Sequence, residues 1–203
     1  MSKKENDDDK EIKVVLLGET AVGKTCLINA YFGKRFKDNI DSTSLPESER
    51  KVLEINKNKY LIEIMDTAGQ EKYRSLNNIF IKGSKVVIFV YDVTKERTFN
   101  ELNYWVKTAK EILSTEAIYG IAGNKADLID EIEVSDEEGK KYAKENNAMF
   151  CITSAKEDSN GFQMFLNKLA EQYINKNINK SFNEKSGKKL SVTKGKKKKN
   201  CCK

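Results

Sequence analysis

The chain has 203 residues, 38% of them hydrophobic and 33% charged, a balance that excludes a wholly disordered polymer and fits one domain with polar extensions. No apolar run approaches the roughly 20 residues that a bilayer-spanning helix requires. The net charge of +6 is unevenly placed: residues 176–203 carry eleven lysines and one glutamate, or +10, which leaves −4 for residues 1–175.

Residues 1–10 (MSKKENDDDK) have no apolar periodicity and no apolar core of a secretion signal, so they are expected as an unstructured extension. Short runs rich in Val and Ile follow at 12–17, 60–65, 85–91, 117–122 and 149–152, each of a length that suits a buried strand. Polar-apolar alternation over 51–55 ends at Asn56-Lys57-Asn58-Lys59 and resumes at Tyr60, the pattern of a hairpin. Between these runs, Phe99, Leu102, Trp105, Val106 and Ala109 recur at helical spacing, as do Phe162, Phe165, Leu166, Leu169 and Tyr173. Strand and helix in alternation predict an α/β domain over 11–176: a six-stranded, mostly parallel sheet with helices on both faces, in which ligands bind beyond the carboxyl ends of the strands. The remainder, 177–203, is expected as a flexible basic tail. Cys26 and Cys151 lie in apolar segments and read as buried free thiols, consistent with a reducing, cytoplasmic setting.

The chemistry concentrates after the predicted strands. Gly18-Glu19-Thr20-Ala21-Val22-Gly23-Lys24-Thr25 matches G-x-x-x-x-G-K-[ST] between a strand and a helix. In this arrangement the glycines let the backbone wrap a phosphate. The amides of Glu19 to Cys26 and the helix N-terminus supply fixed positive potential, Lys24 reaches the outer phosphates, and Thr25 offers a hydroxyl to Mg2+. Asp66-Thr67-Ala68-Gly69-Gln70 closes the third strand. There Asp66 reads as a Mg2+ group, Gly69 as an amide approaching the outer phosphate, and Gln70 as the residue orienting an attacking water. Asn124-Lys125-Ala126-Asp127 follows the fifth strand and Thr153-Ser154-Ala155-Lys156 the sixth. A carboxylate at Asp127 can accept from both the N1–H and the exocyclic amine of guanine, a donor pair that adenine lacks, which selects GTP over ATP.

In these four motifs the chain resembles the Ras superfamily and, within it, the Rab family, over about 11–176 plus the terminal cysteine pair. DTAGQEKYR, YDVT at 91–94 and Cys-Cys-Lys at 201–203 carry the Rab likeness. The resemblance implies the P-loop NTPase fold, a monomeric GTP/GDP switch in vesicle trafficking with slow hydrolysis, and catalysis assigned to Gln70. It places Thr25, Thr43 and Asp66 on Mg2+, and Asn124, Lys125, Asp127, Ser154, Ala155 and Lys156 around the base, with Tyr31 beside the guanine ring. It also implies an exchange factor, an activating protein, a GDP-dissociation inhibitor and effectors. The segment after Thr43 departs from the family pattern: Ser44-Leu45 stands where Ile-Gly is expected, then Pro46-Glu47-Ser48, and Met65 replaces a Trp before DTAGQ.

Charge alone lets the tail meet either a phospholipid leaflet or nucleic acid. Nucleic acid ranks last, since no aromatic residue after Phe182 is available to stack on bases. Cys201-Cys202-Lys203 is not a C-a-a-X box, and the resemblance implies geranylgeranyl groups on both cysteines, holding the protein at the cytoplasmic face of an intracellular membrane and cycling with the cytosol. Two other readings stay open at this level: a GTP-binding scaffold with little hydrolysis, suggested by the altered segment after Thr43, and an ATP-dependent P-loop enzyme.

Overall fold

The computed structural model describes residues 10–37, 47–66, 74–113 and 117–189. Its strands are β1 (Glu11–Leu17), β2 (Glu47–Ile55), β3 (Asn58–Asp66), β4 (Val86–Asp92), β5 (Ile118–Asn124) and β6 (Met149–Ile152). The helices are α1 (Lys24–Tyr31), α2 (Arg74–Ile81), α3 (Glu96–Asn100), α4 (Leu102–Ile112), α5 (Asp136–Glu145) and α6 (Ser159–Lys189).

The strands form one sheet in the order β2-β3-β1-β4-β5-β6. Every neighbouring pair is parallel except β2 with β3, which run antiparallel from Glu47 opposite Asp66 to Ile55 opposite Asn58. That hairpin turns at Asn56 and Lys57, both at positive φ (52° and 63°), the conformation whose twist matches the flanking strands. β4 is buried along its whole length, as a central strand covered on both faces must be.

Alternation along the strands divides the core between the two faces. Val14 and Leu16 of β1 and Ile88 and Val90 of β4 pack beneath α1 and α6 with Leu27, Phe162, Leu166 and Leu169. Val15, Leu17, Val87 and Phe89 face the other way, onto Ile81, Leu102, Trp105, Val106 and Ala143. The expected helices on both faces are present, and so is the six-stranded, mostly parallel sheet.

Three differences from the sequence reading have physical causes. The helical stretch from Phe99 to Ala109 divides at Glu101 into α3 and α4, while Glu101 keeps near-helical angles (φ −66°, ψ −15°). α5 gives little apolar periodicity, since only Gly139 and Ala143 are buried. A capping box starts it instead: the Ser135 hydroxyl accepts from the Glu138 amide at 3.3 Å, and the Glu138 carboxylate accepts from the Ser135 amide at 2.9 Å. Finally, α6 continues through 177–189, where a flexible tail was expected. Among the residues whose burial is described, its last buried one is Ile174, and the extension propagates from a packed helix, which costs far less than starting one.

Leu169 is fully buried on α6 and lies directly over Gly120 of β5. Leu169→Ala should cost about 2–5 kcal/mol in urea unfolding. Met164→Ala, on the exposed side of the same helix, should stay within about 0.5 kcal/mol. Equal losses from the two variants would contradict this packing.

Candidate functional site

Because β1, β3, β4, β5 and β6 all run the same way, Leu17, Asp66, Asp92, Asn124 and Ile152 end at one edge of the sheet. β1 lies between β3 and β4, so chain leaving β1 crosses to one side and chain leaving β3 returns to the other, which opens a crevice at these ends.

The loop from β1 to α1 begins at Gly18 (φ 154°), turns at Ala21 (φ 60°) and enters the helix through Gly23 (φ 95°). A Cβ at Gly18 would strike the Val90 carbonyl, and one at Gly23 the side chain of Asn124, so both positions require the absence of a side chain. Lys24, only 5% exposed, turns back into the loop and donates to the carbonyls of Gly18 at 2.9 Å and Glu19 at 2.8 Å. Burial lowers its pKa to about 8, against the opposing pull of Asp66 and Glu19. Thr25 stands next to it and donates its hydroxyl to Asp66 Oδ2 at 2.7 Å, although the two residues are 41 apart in the chain. A hydroxyl and a carboxylate thus meet beside a lysine. Thr20 and Ala21 face solvent while Glu19 and Val22 are buried, and Cys26 is a half-buried free thiol whose pKa desolvation raises.

The base-reading loops meet the phosphate loop through Asn124, which is 1% exposed. Its Nδ2 donates to the Val22 carbonyl at 2.9 Å, and its Oδ1 accepts from the Ala155 amide at 3.1 Å. The Ala155 amide expected at the base is therefore engaged by Asn124, which acts here as a brace. Asp127 is fixed by the Ser154 hydroxyl, which donates to Oδ1 at 2.6 Å. The same Ser154 oxygen accepts from the amides of Lys156 and Glu157 at 3.2 and 3.0 Å. Lys125 takes a left-handed backbone (φ 69°), and its ammonium lies 2.6 Å from Asp92 Oδ2.

Tyr31 requires correction. Its ring is 1% exposed in the core between α1 and α6, and its hydroxyl donates to Asn167 Oδ1 at 3.2 Å, so it does not lie beside a base. Helix α1 runs through Tyr31 and carries it to the inner face, away from the crevice. Thr43, Gly69, Gln70, Cys201 and Cys202 lie outside the described residues. Sequence reasoning missed Asp92, whose only sequence signal is a carboxylate at a strand's carboxyl end.

The geometry is that of a glycine-cornered loop closed round a buried lysine, with a separate carboxylate fixed in a neighbouring loop. A family model described as Ras family matches residues 13–175, and the chain belongs to that family. The human protein described as Ras-related protein Rab-22A is 39% identical over 157 residues, which make up 77% of this chain and 81% of that protein. With that relative, the chain is a small GTPase of the Rab type: it binds guanine nucleotide and hydrolyses GTP. No helix among the described residues is long and apolar enough to cross a membrane.

Lys24 has a sign-definite effect on stability. Its folded pKa of about 8 lies below the 10.5 of the unfolded chain, so between those values the unfolded state binds more protons and stability rises with pH. Below 8 both states are protonated, and the full cost of burying the ammonium persists. Tyr31, raised to about 12 by desolvation, acts oppositely above 10 and is common to parent and variant. In nucleotide-free protein, the urea midpoint of the parent should climb relative to Lys24→Met across pH 8–10.5 and hold a constant offset below 7. A constant offset throughout would contradict the buried ammonium.

Proposed function

We propose that this chain is a membrane-attached GTP/GDP switch of vesicle traffic in which the crevice at the strand ends holds GTP with Mg2+. The convergence of Lys24, Thr25 and Asp66 carries this reading. The amides of Glu19, Thr20, Ala21, Val22, Gly23, Lys24, Thr25 and Cys26 surround the phosphates, and the Lys24 ammonium balances their charge. Thr25 and Asp66 supply the hard oxygen donors that Mg2+ takes, with Thr43 as a further ligand. The ion, when bound, neutralises charge building on the phosphates during transfer. Asp127, oriented by Ser154, reads N1–H and the amine of guanine, with Lys125, Ala155 and Lys156 bordering the base. In place of Tyr31, the ring assigned to the base is Phe36, an aromatic 39% exposed in the stretch leaving α1.

Gly69 presents its amide to the outer phosphate, and Gln70 orients the attacking water. Hydrolysis is slow alone, because no arginine from a partner compensates the transition-state charge. Loss of the outer phosphate releases the segments 35–48 and 66–80, and these exchange contacts with an exchange factor, an activating protein, a GDP-dissociation inhibitor and effectors. The folded domain spans 11–176, after an extension over 1–10. In the tail that begins at 177, Cys201 and Cys202 carry geranylgeranyl groups. Two chains anchor stably where one does not, and the lysines at 194, 196, 197, 198 and 199 add about 1 kcal/mol each near an anionic leaflet. The site is thereby held at the cytoplasmic face of an intracellular membrane, from which the inhibitor returns it to the cytosol.

Nucleotide competition tests the reading. With magnesium present, GTP should displace fluorescent GDP from the purified chain, and ATP at the same concentration should not; equal displacement would refute a guanine site. Gln70→Leu should slow single-turnover hydrolysis by roughly tenfold or more while leaving GTP affinity within about twofold. Unchanged single-turnover kinetics would remove Gln70 from the mechanism.

A further inference from the structure

Asp92 is the last residue of β4, 1% exposed, and its two carboxylate oxygens have different partners. Oδ1 accepts from the Thr94 amide at 3.0 Å and from the Thr94 hydroxyl at 2.7 Å, which fixes the carboxylate to its own loop. Oδ2 lies 2.6 Å from the Lys125 ammonium. The backbone adds support: the Asp92 amide donates to Thr98 Oγ1 at 3.0 Å, and the Val93 amide donates to the Asn124 carbonyl at 3.0 Å. The carboxylate therefore cannot swing away, and Lys125 is drawn to a fixed point.

Lys125 needs such an anchor. Its φ of 69° is a left-handed conformation that costs a non-glycine residue free energy unless the surroundings enforce it. The turn that follows is tied down at each residue: Ala126 donates its amide to the Thr153 carbonyl at 3.2 Å, Asp127 is held by Ser154, and the Leu128 amide closes onto the Lys125 carbonyl at 3.1 Å. The tie at Lys125 is the one made by a buried charge.

We propose that Asp92 is a positioning residue for base recognition, acting through Lys125 on the turn that aims Asp127 at guanine. The inference rests on the guanine site proposed above. Removing the charge leaves the crevice in place but lets the turn relax, so the nucleotide departs faster and the preference for the guanine amine weakens.

The test is a double-mutant cycle read by release of N-methylanthraniloyl-GDP, with inosine diphosphate, which lacks the exocyclic amine, as a second competitor. Asp92→Asn and Lys125→Gln should each speed release about tenfold, within the range of coupling between residues in contact. The double variant should release no faster than Lys125→Gln alone, since the two act in series. Asp92→Asn should also narrow the preference of the site for GDP over inosine diphosphate. Lys125→Gln also removes a side chain placed at the base, so the link to Asp92 is read from the double variant against Lys125→Gln and not from Lys125→Gln alone. Additive effects in the double variant, or an unchanged GDP to inosine diphosphate ratio, would overturn the positioning role. Failure of the guanine site itself looks different, because the parent would then hold adenine and guanine nucleotides alike.

Discussion

The carboxamide of Asn124 joins three pieces of chain that are far apart in sequence. It bonds the phosphate loop at Val22, 102 residues earlier, and the loop after β6 at Ala155, 31 residues later. A carboxamide suits this place because it offers a donor and an acceptor on one rigid group, and a buried charge would require a counterion. Gly23 packs so closely on it that no side chain could intervene. The spacing between the β1–α1 loop and the loop after β6 is thus braced by one side chain at the end of β5.

The sheet makes this brace possible. Parallel strands bring five carboxyl ends to one edge, and the order β3-β1-β4 places the cradle between the strand that ends in Asp66 and the one that ends in Asp92. Each chemical residue stands on the last position of a strand or in the few residues after it, where backbone hydrogen bonding with neighbouring strands has already fixed direction. Thr25 reaches Asp66 for the same reason: α1 starts where β1 stops, and β1 is paired with β3.

The strands were readable from sequence because central strands bury both faces and become unbroken apolar runs, as in VVIFVYD. The phosphate loop was readable because its glycines answer local backbone demands. Other features depend on tertiary partners that no local pattern encodes. The resemblance places Tyr31 beside the base, yet the facing of a ring is decided by where α1 ends, and α1 includes it. α5 escaped because DEEGKKYAKE has almost no apolar stripe, although Ser135 and Glu138 carried its start signal. Asn124 was legible as part of a motif but not as a brace, since its partners are a backbone carbonyl and an amide in other loops. Asp92 looked like a strand residue in YDVT, and its link to Lys125 appears only when β4 and β5 are neighbours.

Where the fold buries polarity also identifies the site independently of any motif. Among the described residues, the buried polar ones are Glu19, Lys24, Asp66, Ser84, Asp92, Thr94, Thr98, Asn124, Thr153 and Ser154, and all but Ser84 lie at the carboxyl edge of the sheet. Burying such groups costs stability unless each finds a partner, and even a paired charge seldom beats an apolar residue of the same size. A sequence selected for stability alone would fill that edge with the Val and Ile used two residues earlier in each strand. The edge instead keeps a lysine whose pKa is depressed by desolvation and carboxylates held by threonine, serine and lysine. Those groups are held in fixed directions by partners within the protein. The stability forgone at this edge is the cost of keeping ionisable and hydrogen-bonding groups buried and fixed there.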